Sequence, residues 1–263
     1  MSVFKSAILA SMLLAGQANA KSFIVALPAN LSPAAQEHVA EFFGQVYMAL
    51  EPKDSLTVFD ASHLRRVATL FMPETIGTGK RDRIKALGPA AGQISEFISG
   101  VDAGVKADDI NIPAALRDLG STVLPTMPGG KANVLFIGSL IWENENDGNF
   151  NTRNFIPSDG FLMDAGGPFG VVGQEKVLSG ALVSFCYTDA VKSFASERFR
   201  QKLVSFWGKS VVGRGGKVGA IEAYGSGCAA RLASDAVDAT PYAINRSEKL
   251  FLTSKQWTPV EVK

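Results

Sequence analysis

The fold is decided by the stretch from Phe23 to Ala61, which reads FIVALPANLSPAAQEHVAEFFGQVYMALEPKDSLTVFDA. It contains two apolar runs, Phe23–Leu27 and Ser55–Phe59. Apolar residues at consecutive positions are typical of strands that are buried on both faces, as in a parallel sheet. Between the runs, Ser32 and Pro33 signal a helix start. Apolar residues then recur at three- and four-residue spacing: Val39, Phe42, Phe43, Val46, Tyr47 and Leu50. The stretch predicts strand, helix and strand, with the strands parallel.

The rest of the chain extends this pattern to an α/β fold, an open and mostly parallel sheet with helices on both faces. Further strands are predicted at Asn133–Ile141, Leu182–Tyr187 and Val218–Tyr224, and an edge hairpin at Gly160–Val172. His63–Leu70 is interpreted as a short strand or a turn of helix. Helices are predicted from about Ile84 to Ile98 with an interruption at Gly88-Pro89, and at Pro113–Gly120, Ser196–Trp207 and Cys228–Ala233.

The first twenty residues predict export. Lys5 provides a positive start, Ala7–Ala15 is a short apolar run, and Ala18-Asn19-Ala20 is typical of a peptidase site. The apolar run is shorter than the ~20 residues that span a bilayer, although an uncleaved anchor stays open as the alternative. We therefore expect a signal peptide at 1–20, an α/β domain at 21–235, and a C-terminal extension at 236–263 that docks on the domain. The expected location is the periplasm or beyond, with no membrane span after signal removal.

The charge and the cysteine content of the chain limit the functions it can have. The chain has 26 Lys and Arg residues against 25 Asp and Glu, and removal of Lys5 with the leader makes the two counts equal. A neutral protein lacks the basic surface that nucleic acid requires, so no nucleic-acid partner is predicted. The two cysteines, Cys186 and Cys228, would meet an oxidising compartment after export, which favours a disulfide. Two separate buried thiols stay open as the alternative.

Three segments resemble von Willebrand factor A-type domains. Met48–Ala61 (MALEPKDSLTVFDA) resembles the second-strand region of that family, Asn133–Ile141 (NVLFIGSLI) resembles its next central strand, and Ala181–Ala190 (ALVSFCYTDA) its later strand. The resemblance covers about Phe23 to Gly216 and implies the same open sheet. A generic doubly wound α/β fold is the alternative.

The family's metal motif, Asp-x-Ser-x-Ser after the first strand, is degenerate here. The matching positions read Pro28-Ala29-Asn30-Leu31-Ser32, and Gly138-Ser139 stand where an Asp is expected. A divalent cation needs oxygen ligands, which Pro28 does not offer. The resemblance therefore implies a lost metal site, and we predict neither a metal nor a cofactor.

Candidate binding residues follow the strands, because ligands of open parallel sheets sit beyond the carboxyl ends of the strands. Asn30 and Ser32 follow the first strand, and Asp60 and His63 follow the second. The later strands contribute the remaining candidates, Ser139, Thr188 and Asp189. Together these residues predict a polar rim that binds a peptide or a small ligand.

The sequence offers no complete catalytic motif, so we expect a binding protein more than an enzyme. Asp60 and His63 would need a nucleophile, and no Gly-x-Ser-x-Gly segment presents a serine. Glu143–Gly148 has alternating oxygens as at the start of a calcium loop, but Asn154 stands where the final Glu would be. The expected function is an exported protein-interaction domain with a partner in the cell envelope, as an accessory of a secretion, conjugation or surface-assembly system. A periplasmic small-molecule-binding protein or a degenerate hydrolase is the alternative.

Overall fold

One sheet forms the centre of the molecule. The computed structural model of the chain describes residues 20–75, 79–144, 148–150, 158–190, 193–194 and 196–248. Within these ranges the sheet has six strands in the order β3-β2-β1-β4-β7-β8. Their bounds are β1 Ser22–Leu27, β2 Ser55–Asp60, β3 Arg65–Phe71, β4 Ala132–Gly138, β7 Ala181–Tyr187 and β8 Lys217–Ala223. A separate antiparallel pair joins β5 (Glu143–Asn144) to β6 (Gly148–Asn149).

The sheet is parallel except at one edge. β1 pairs in parallel with both β2 and β4, and β4–β7 and β7–β8 are parallel as well. Only β3, which pairs with β2, runs antiparallel among these strands. The predicted fold class and the parallel β1–β2 pair are thereby confirmed, and of the two interpretations of His63–Leu70 the strand is the one observed, as β3.

The four inner strands, β1, β2, β4 and β7, are almost wholly buried on both faces, as their continuous apolar runs predict. In β1, Phe23, Val25 and Leu27 belong to one core cluster, whereas Ile24 and Ala26 belong to the other. This alternation is the two-residue period of a strand, whose successive side chains point to opposite faces. The sheet therefore separates two apolar layers, each covered by helices.

Helices cover both layers. The layer on the side of Val25 includes residues of α1 (Pro33–Ala49), α2 (Lys80–Ser99) and α6 (Cys228–Ala233). The layer on the side of Ile24 includes residues of α3 (Ile112–Asp118), α4 (Asp159–Met163) and α5 (Glu197–Gly213). Helix α1 begins as predicted, since Ser32 accepts a hydrogen bond from the Ala35 amide and Pro33 follows it. α2 is broken at Gly88, whose φ of 44° suits glycine, directly before Pro89.

The edge hairpin predicted at Gly160–Val172 is wrong. The segment holds α4 followed by turns, and none of these residues lies in a strand. Its glycines serve close packing instead: a Cβ on Gly170 would lie 2.3 Å from the carbonyl oxygen of Asp164. The predicted helix at Ser196–Trp207 is confirmed in kind, but α5 continues to Gly213 because Val211 packs in the core.

A disulfide and a docked segment close the structure. Cys186 of β7 is bonded to Cys228 of α6, so the disulfide holds and the separate-thiol alternative does not. The described part of the C-terminal extension packs on α5, where a Cβ on Gly208 would overlap the ring of Tyr242. Leu250–Leu252 and Trp257, also expected to dock, lie outside the described residues, and the boundary at residue 235 stays a prediction. Within the described ranges, no helix combines the length and the apolar character needed to cross a bilayer.

Candidate functional site

The strand order reverses between β1 and β4, which places a crevice at the carboxyl ends of these strands. A segment that we call the crossing loop, residues 100–111, lies over this crevice. The Asp108 amide donates to the Asn30 carbonyl at 2.7 Å, and the Ser139 amide donates to the Asp108 carbonyl at 2.7 Å. Gly138 permits this approach, because a Cβ there would lie 2.9 Å from Ile110. The crossing loop thus joins the ends of β1 and β4 with its own backbone.

The two residues predicted to bind a ligand after β1 instead hold the crossing loop, Asn30 through its side chain and Ser32 through its backbone amide. The Asn30 side-chain amide donates to the Val105 carbonyl at 2.8 Å. The Ser32 amide, at the start of α1, donates to the Asp108 carboxylate at 2.9 Å. A carboxylate is the favourable occupant of a helix start, because the first amides are unpaired there and the helix dipole is positive. The start of α1 is therefore already occupied by a carboxylate of the same chain, that of Asp108.

Two of the predicted rim residues meet directly. The Ser139 hydroxyl donates to one oxygen of Asp189 at 2.7 Å, and the Leu140 amide donates to the other at 2.7 Å. Burial raises the pKa of Asp189 above its usual range, while these two donors oppose the rise and the nearby Asp108 adds to it. Thr188 lies beside them, with its amide donating to the Gly138 carbonyl. Ser139, Thr188 and Asp189 thus form one polar cluster after β4 and β7.

Asp60 and His63 form a second cluster after β2. Asp60 is fully buried, and its carboxylate accepts from the Ser62 and His63 amides and from the Arg65 guanidinium. One ring nitrogen of His63 lies 3.0 Å from Asp60, and the other lies 3.4 Å from Asp102. The imidazole therefore has a carboxylate at each nitrogen.

No nucleophile completes this cluster among the residues that the structure describes. The Ser62 hydroxyl donates to the Asp109 carbonyl and accepts from the Ala29 amide. Cys186 is held in the disulfide. A serine or cysteine aligned with His63 is what acid–base–nucleophile catalysis requires, and neither Ser62 nor Cys186 is placed to act as one.

A cleft of about 460 Å³ opens beside the Ser139–Asp189 cluster. Two smaller cavities adjoin it, of about 230 and 260 Å³, and each shares lining residues with the next. The first junction is formed by Asp108, Thr188 and Asp189, and the second by His38 and Tyr224. We name the three together the carboxyl-edge groove; it runs from the crossing loop to the space between α1 and α6.

The cleft end of the groove is acidic. Its lining includes four carboxylates, Asp108, Asp109, Glu143 and Asp189, and one ammonium group, that of Lys106. Lys106 is paired with Glu143 at 2.7 Å. Burial raises the pKa of Asp109 to about 6; Lys106 opposes the rise, and Glu143 and Asp189 add to it. The cleft therefore carries negative charge that its single lysine does not balance.

The other end of the groove is aromatic. The Tyr224 ring stacks on the His38 ring with centroids 5.8 Å apart, and its hydroxyl donates to the His38 carbonyl at 2.9 Å. Burial raises the pKa of Tyr224 to about 12, and Glu41 adds to the rise. A flat ring beside carboxylates offers contacts to both the stem and the head of a long cationic side chain.

The residues present do not fit the metal site of von Willebrand factor A-type domains. Asn30, Ser32 and Ser139 all spend side-chain atoms on hydrogen bonds within the chain, to Val105, Ala35 and Asp189. Within the described ranges, the only trio of potential ligands close enough to share an ion contains the two cysteines of the disulfide. The cleft carboxylates are not among such groups, so their negative charge is spread along the cleft and is not focused on one ion.

Sequence reasoning missed several residues of the groove, namely His38, Lys106, Asp108, Asp109 and Tyr224. The crossing loop reads only as a loop, and its contacts with Asn30 and Ser32 span 75 and 76 residues. One feature of the sequence could have indicated these residues. After β3 at one edge of the sheet, the chain must come back to form β4, the neighbour of β1. Such a return passes the carboxyl edge and brings its polar residues there.

Comparisons with known proteins add little to this description. No family model matches the chain, and no curated protein matches it. One solved structure with a similar fold is an aerotolerance-related membrane protein from Bacteroides fragilis NCTC 9343 that carries multiple mutations to serines. The identity is 11%, the TM-score is 0.38, and the match covers 81% of this chain and 96% of that chain. A likeness at this level identifies neither a family nor a function.

Proposed function

We propose that this protein is an exported protein-interaction domain of the bacterial envelope that binds an extended partner segment in the carboxyl-edge groove. The observation that carries the proposal is the groove itself, three adjoining cavities along the edge where open parallel sheets bind ligands. Export is supported by the sequence pattern of residues 1–20. The resemblance to von Willebrand factor A-type domains, with a degenerate metal motif, is consistent with binding that does not use a metal.

The charge of the groove specifies the partner. Four carboxylates and one lysine line the cleft, and the pKa values of Asp109 and Asp189 are raised. A lysine or arginine placed there would favour the charged form of both carboxyl groups. The partner segment that fits is therefore basic, with its next residues lying toward Tyr224 and His38. Its role would be that of an accessory of a secretion, conjugation or surface-assembly system.

Matched peptides test this proposal. Extended peptides that differ only in carrying Lys and Arg or carrying Glu should differ in affinity by at least about tenfold, measured by fluorescence anisotropy. Asp109→Asn combined with Glu143→Gln should weaken the basic peptides about tenfold, because it removes two carboxylates from the cleft. Glu74→Gln is the matched control, since Glu74 is exposed and pairs with Lys53 at the opposite edge. Equal binding of basic and acidic peptides would reject the proposal.

A small-molecule binder is the second candidate, favoured by the size of the cleft. Small-molecule sites usually measure ~300 Å³ or more, and the cleft holds about 460 Å³. The same carboxylates would select a small cation, such as a polyamine. Thermal-shift measurements separate the candidates: a diamine that raises Tm at micromolar concentration, where basic peptides have no effect, would favour this candidate over a protein partner.

A further inference from the structure

Asp54 is a buried carboxylate at the edge of the sheet opposite the groove. It precedes β2, its exposed fraction is 4%, and it accepts two backbone hydrogen bonds. The Lys21 amide nitrogen lies 2.8 Å from Oδ1, and the Glu51 amide nitrogen lies 2.8 Å from Oδ2. Lys21 is fixed at this place, because the Ser55 amide donates to its carbonyl at 2.9 Å and β1 begins at the next residue.

Among the described residues, the Asp54 carboxylate has hydrogen bonds but no countercharge. None of the ion pairs among the described residues includes Asp54. The nearest ammonium groups along the chain are used elsewhere, since Lys21 Nζ pairs with Asp235 at 2.8 Å and Lys53 Nζ pairs with Glu74 at 3.1 Å. A buried carboxylate without a cation is costly, and proteins normally pair such a group.

The sequence predicts that the chain is cut at the bond before Lys21. Ala18-Asn19-Ala20 is typical of a signal-peptidase site, and Ala20 and Lys21 are exposed. Hydrolysis breaks the Ala20–Lys21 amide bond. The oxygen of the water joins the Ala20 carbonyl carbon to make a carboxylate, and both water protons go to the Lys21 nitrogen. The atom that now donates to Asp54 as a neutral amide becomes an ammonium group.

We propose that Asp54 is the docking site for the α-ammonium group that signal-peptide removal creates at Lys21. The ammonium would form at the atom already 2.8 Å from Oδ1, so the ion pair needs no rearrangement of the chain. Charge-assisted hydrogen bonds are about twice as strong as neutral ones. Processing thereby completes the folded protein, and the mature chain is more stable than the precursor.

The test compares N-termini. A chain beginning at Lys21, released from a cleavable fusion, is compared with the same chain carrying one extra Met, which moves the ammonium by about 3.3–3.6 Å. The chain beginning at Lys21 should have a Tm higher by about 2–4 °C. Asp54→Asn should abolish the difference between the two chains. Equal Tm values, or a difference that persists in Asp54→Asn, would overturn the proposal.

Two further measurements make the result specific. Lys21→Gln keeps the α-ammonium and removes the exposed pair with Asp235, so the difference between the two N-termini should remain. Should Asp54→Asn fail to fold, acetylation of the α-amino group of the chain beginning at Lys21 provides the same comparison and should remove the gain in Tm. Mass spectrometry of the exported protein should give Lys21 as the first residue; another first residue would refute the proposal.

Discussion

At the amino edge of the sheet three lysines and one aspartate line a cavity, whereas at the carboxyl edge four carboxylates share a cleft with one lysine. Lys21 and Asn133 both donate to Asp235 at the amino edge and hold the pKa of that carboxyl below its usual range. Burial and neighbouring carboxylates raise the pKa of Asp109 at the carboxyl edge. The two edges of one sheet therefore have opposite electrostatic balance.

The two edges also differ in the size of their cavities. The amino edge has the larger cavity, about 930 Å³ against about 460 Å³ for the cleft. Its charged lining residues are Lys21, Lys131, Lys217 and Asp235. The cleft at the carboxyl edge is smaller, but its four carboxylates face a single lysine, which pairs with Glu143. A ligand that supplies the missing charge would gain most there.

The largest effect we expect comes from Arg214, which lies at the amino edge between α5 and β8. Its side chain is fully buried, and its five N–H groups donate to Gln174, Ser210, Phe169 and Gly170. Burial lowers its pKa to about 10. Arg214→Met should cost about 3–5 kcal/mol in the free energy of unfolding, because it leaves buried acceptors without donors.

Urea unfolding of Arg214→Met checks this prediction. Arg198→Met is the control, since Arg198 is exposed on α5 and its loss should change the free energy of unfolding by less than about 0.5 kcal/mol. Peptide binding by the folded fraction of Arg214→Met should be unchanged. If the Arg214→Met protein is as stable as wild type, or if it folds but binds peptides differently, then the charge of Arg214 does not serve the fold alone.

The disulfide should have the next largest effect, and it supports the carboxyl edge. It joins Cys186 in β7 to Cys228 in α6, near the Tyr224 end of the groove. Replacing both cysteines by alanine should cost about 2–4 kcal/mol, since the unfolded chain gains conformational freedom. Reductant should lower the Tm of the wild-type protein to about the Tm of the double variant. It should leave the Tm of the double variant unchanged. If reductant also lowers the Tm of the double variant, the loss does not come from this bond.

Sequence patterns predict the parts of this molecule that depend on local periodicity. The apolar runs at Phe23–Leu27 and Ser55–Phe59 predict buried parallel strands, because any other placement would expose them to water. The Asp60–His63 pair is also local, three residues apart in a turn. Cys186 and Cys228 could be proposed as partners but not assigned, since bonding depends on the 6.2 Å between their Cα atoms.

The groove escapes sequence reasoning for a different reason. Asp108 reaches Ser32 across 76 residues, and nothing in either segment indicates the other. Charged residues in a loop usually face solvent, so Lys106, Asp108 and Asp109 carry no local signal of a site. The glycines of Gly160–Val172 mislead in the same way, because glycine suits both a hairpin turn and the close packing that Gly170 has against Asp164. Long-range placement is what the sequence leaves open.

The smallest predicted effect compares the pH dependence of the two edges. The pKa of Asp109 is raised to about 6 in the folded protein and is about 4 in the unfolded chain. Between these values the folded protein binds more protons than the unfolded one, so stability falls as pH rises from about 4 to about 6. Asp109 is partly exposed, and after allowance for solvent screening we expect a loss of about 1 kcal/mol. Asp109→Asn should remove this part of the pH dependence of the free energy of unfolding. Urea unfolding at several pH values measures it.

Asp235→Asn is the matched change at the amino edge, and its effect should have the opposite sign. The folded-state pKa of Asp235 is lowered, so its contribution to stability is present above the unfolded pKa and is lost as pH falls through the folded one. The Asn variant should therefore be less stable than wild type at neutral pH and equal to it in acid. Asp109→Asn should be more stable than wild type at neutral pH, because it removes one of the crowded charges. For each variant, the difference in the free energy of unfolding from wild type can be plotted against pH. If these two plots slope in the same direction, the two edges do not differ in charge balance, and the proposal of a basic partner loses its electrostatic basis.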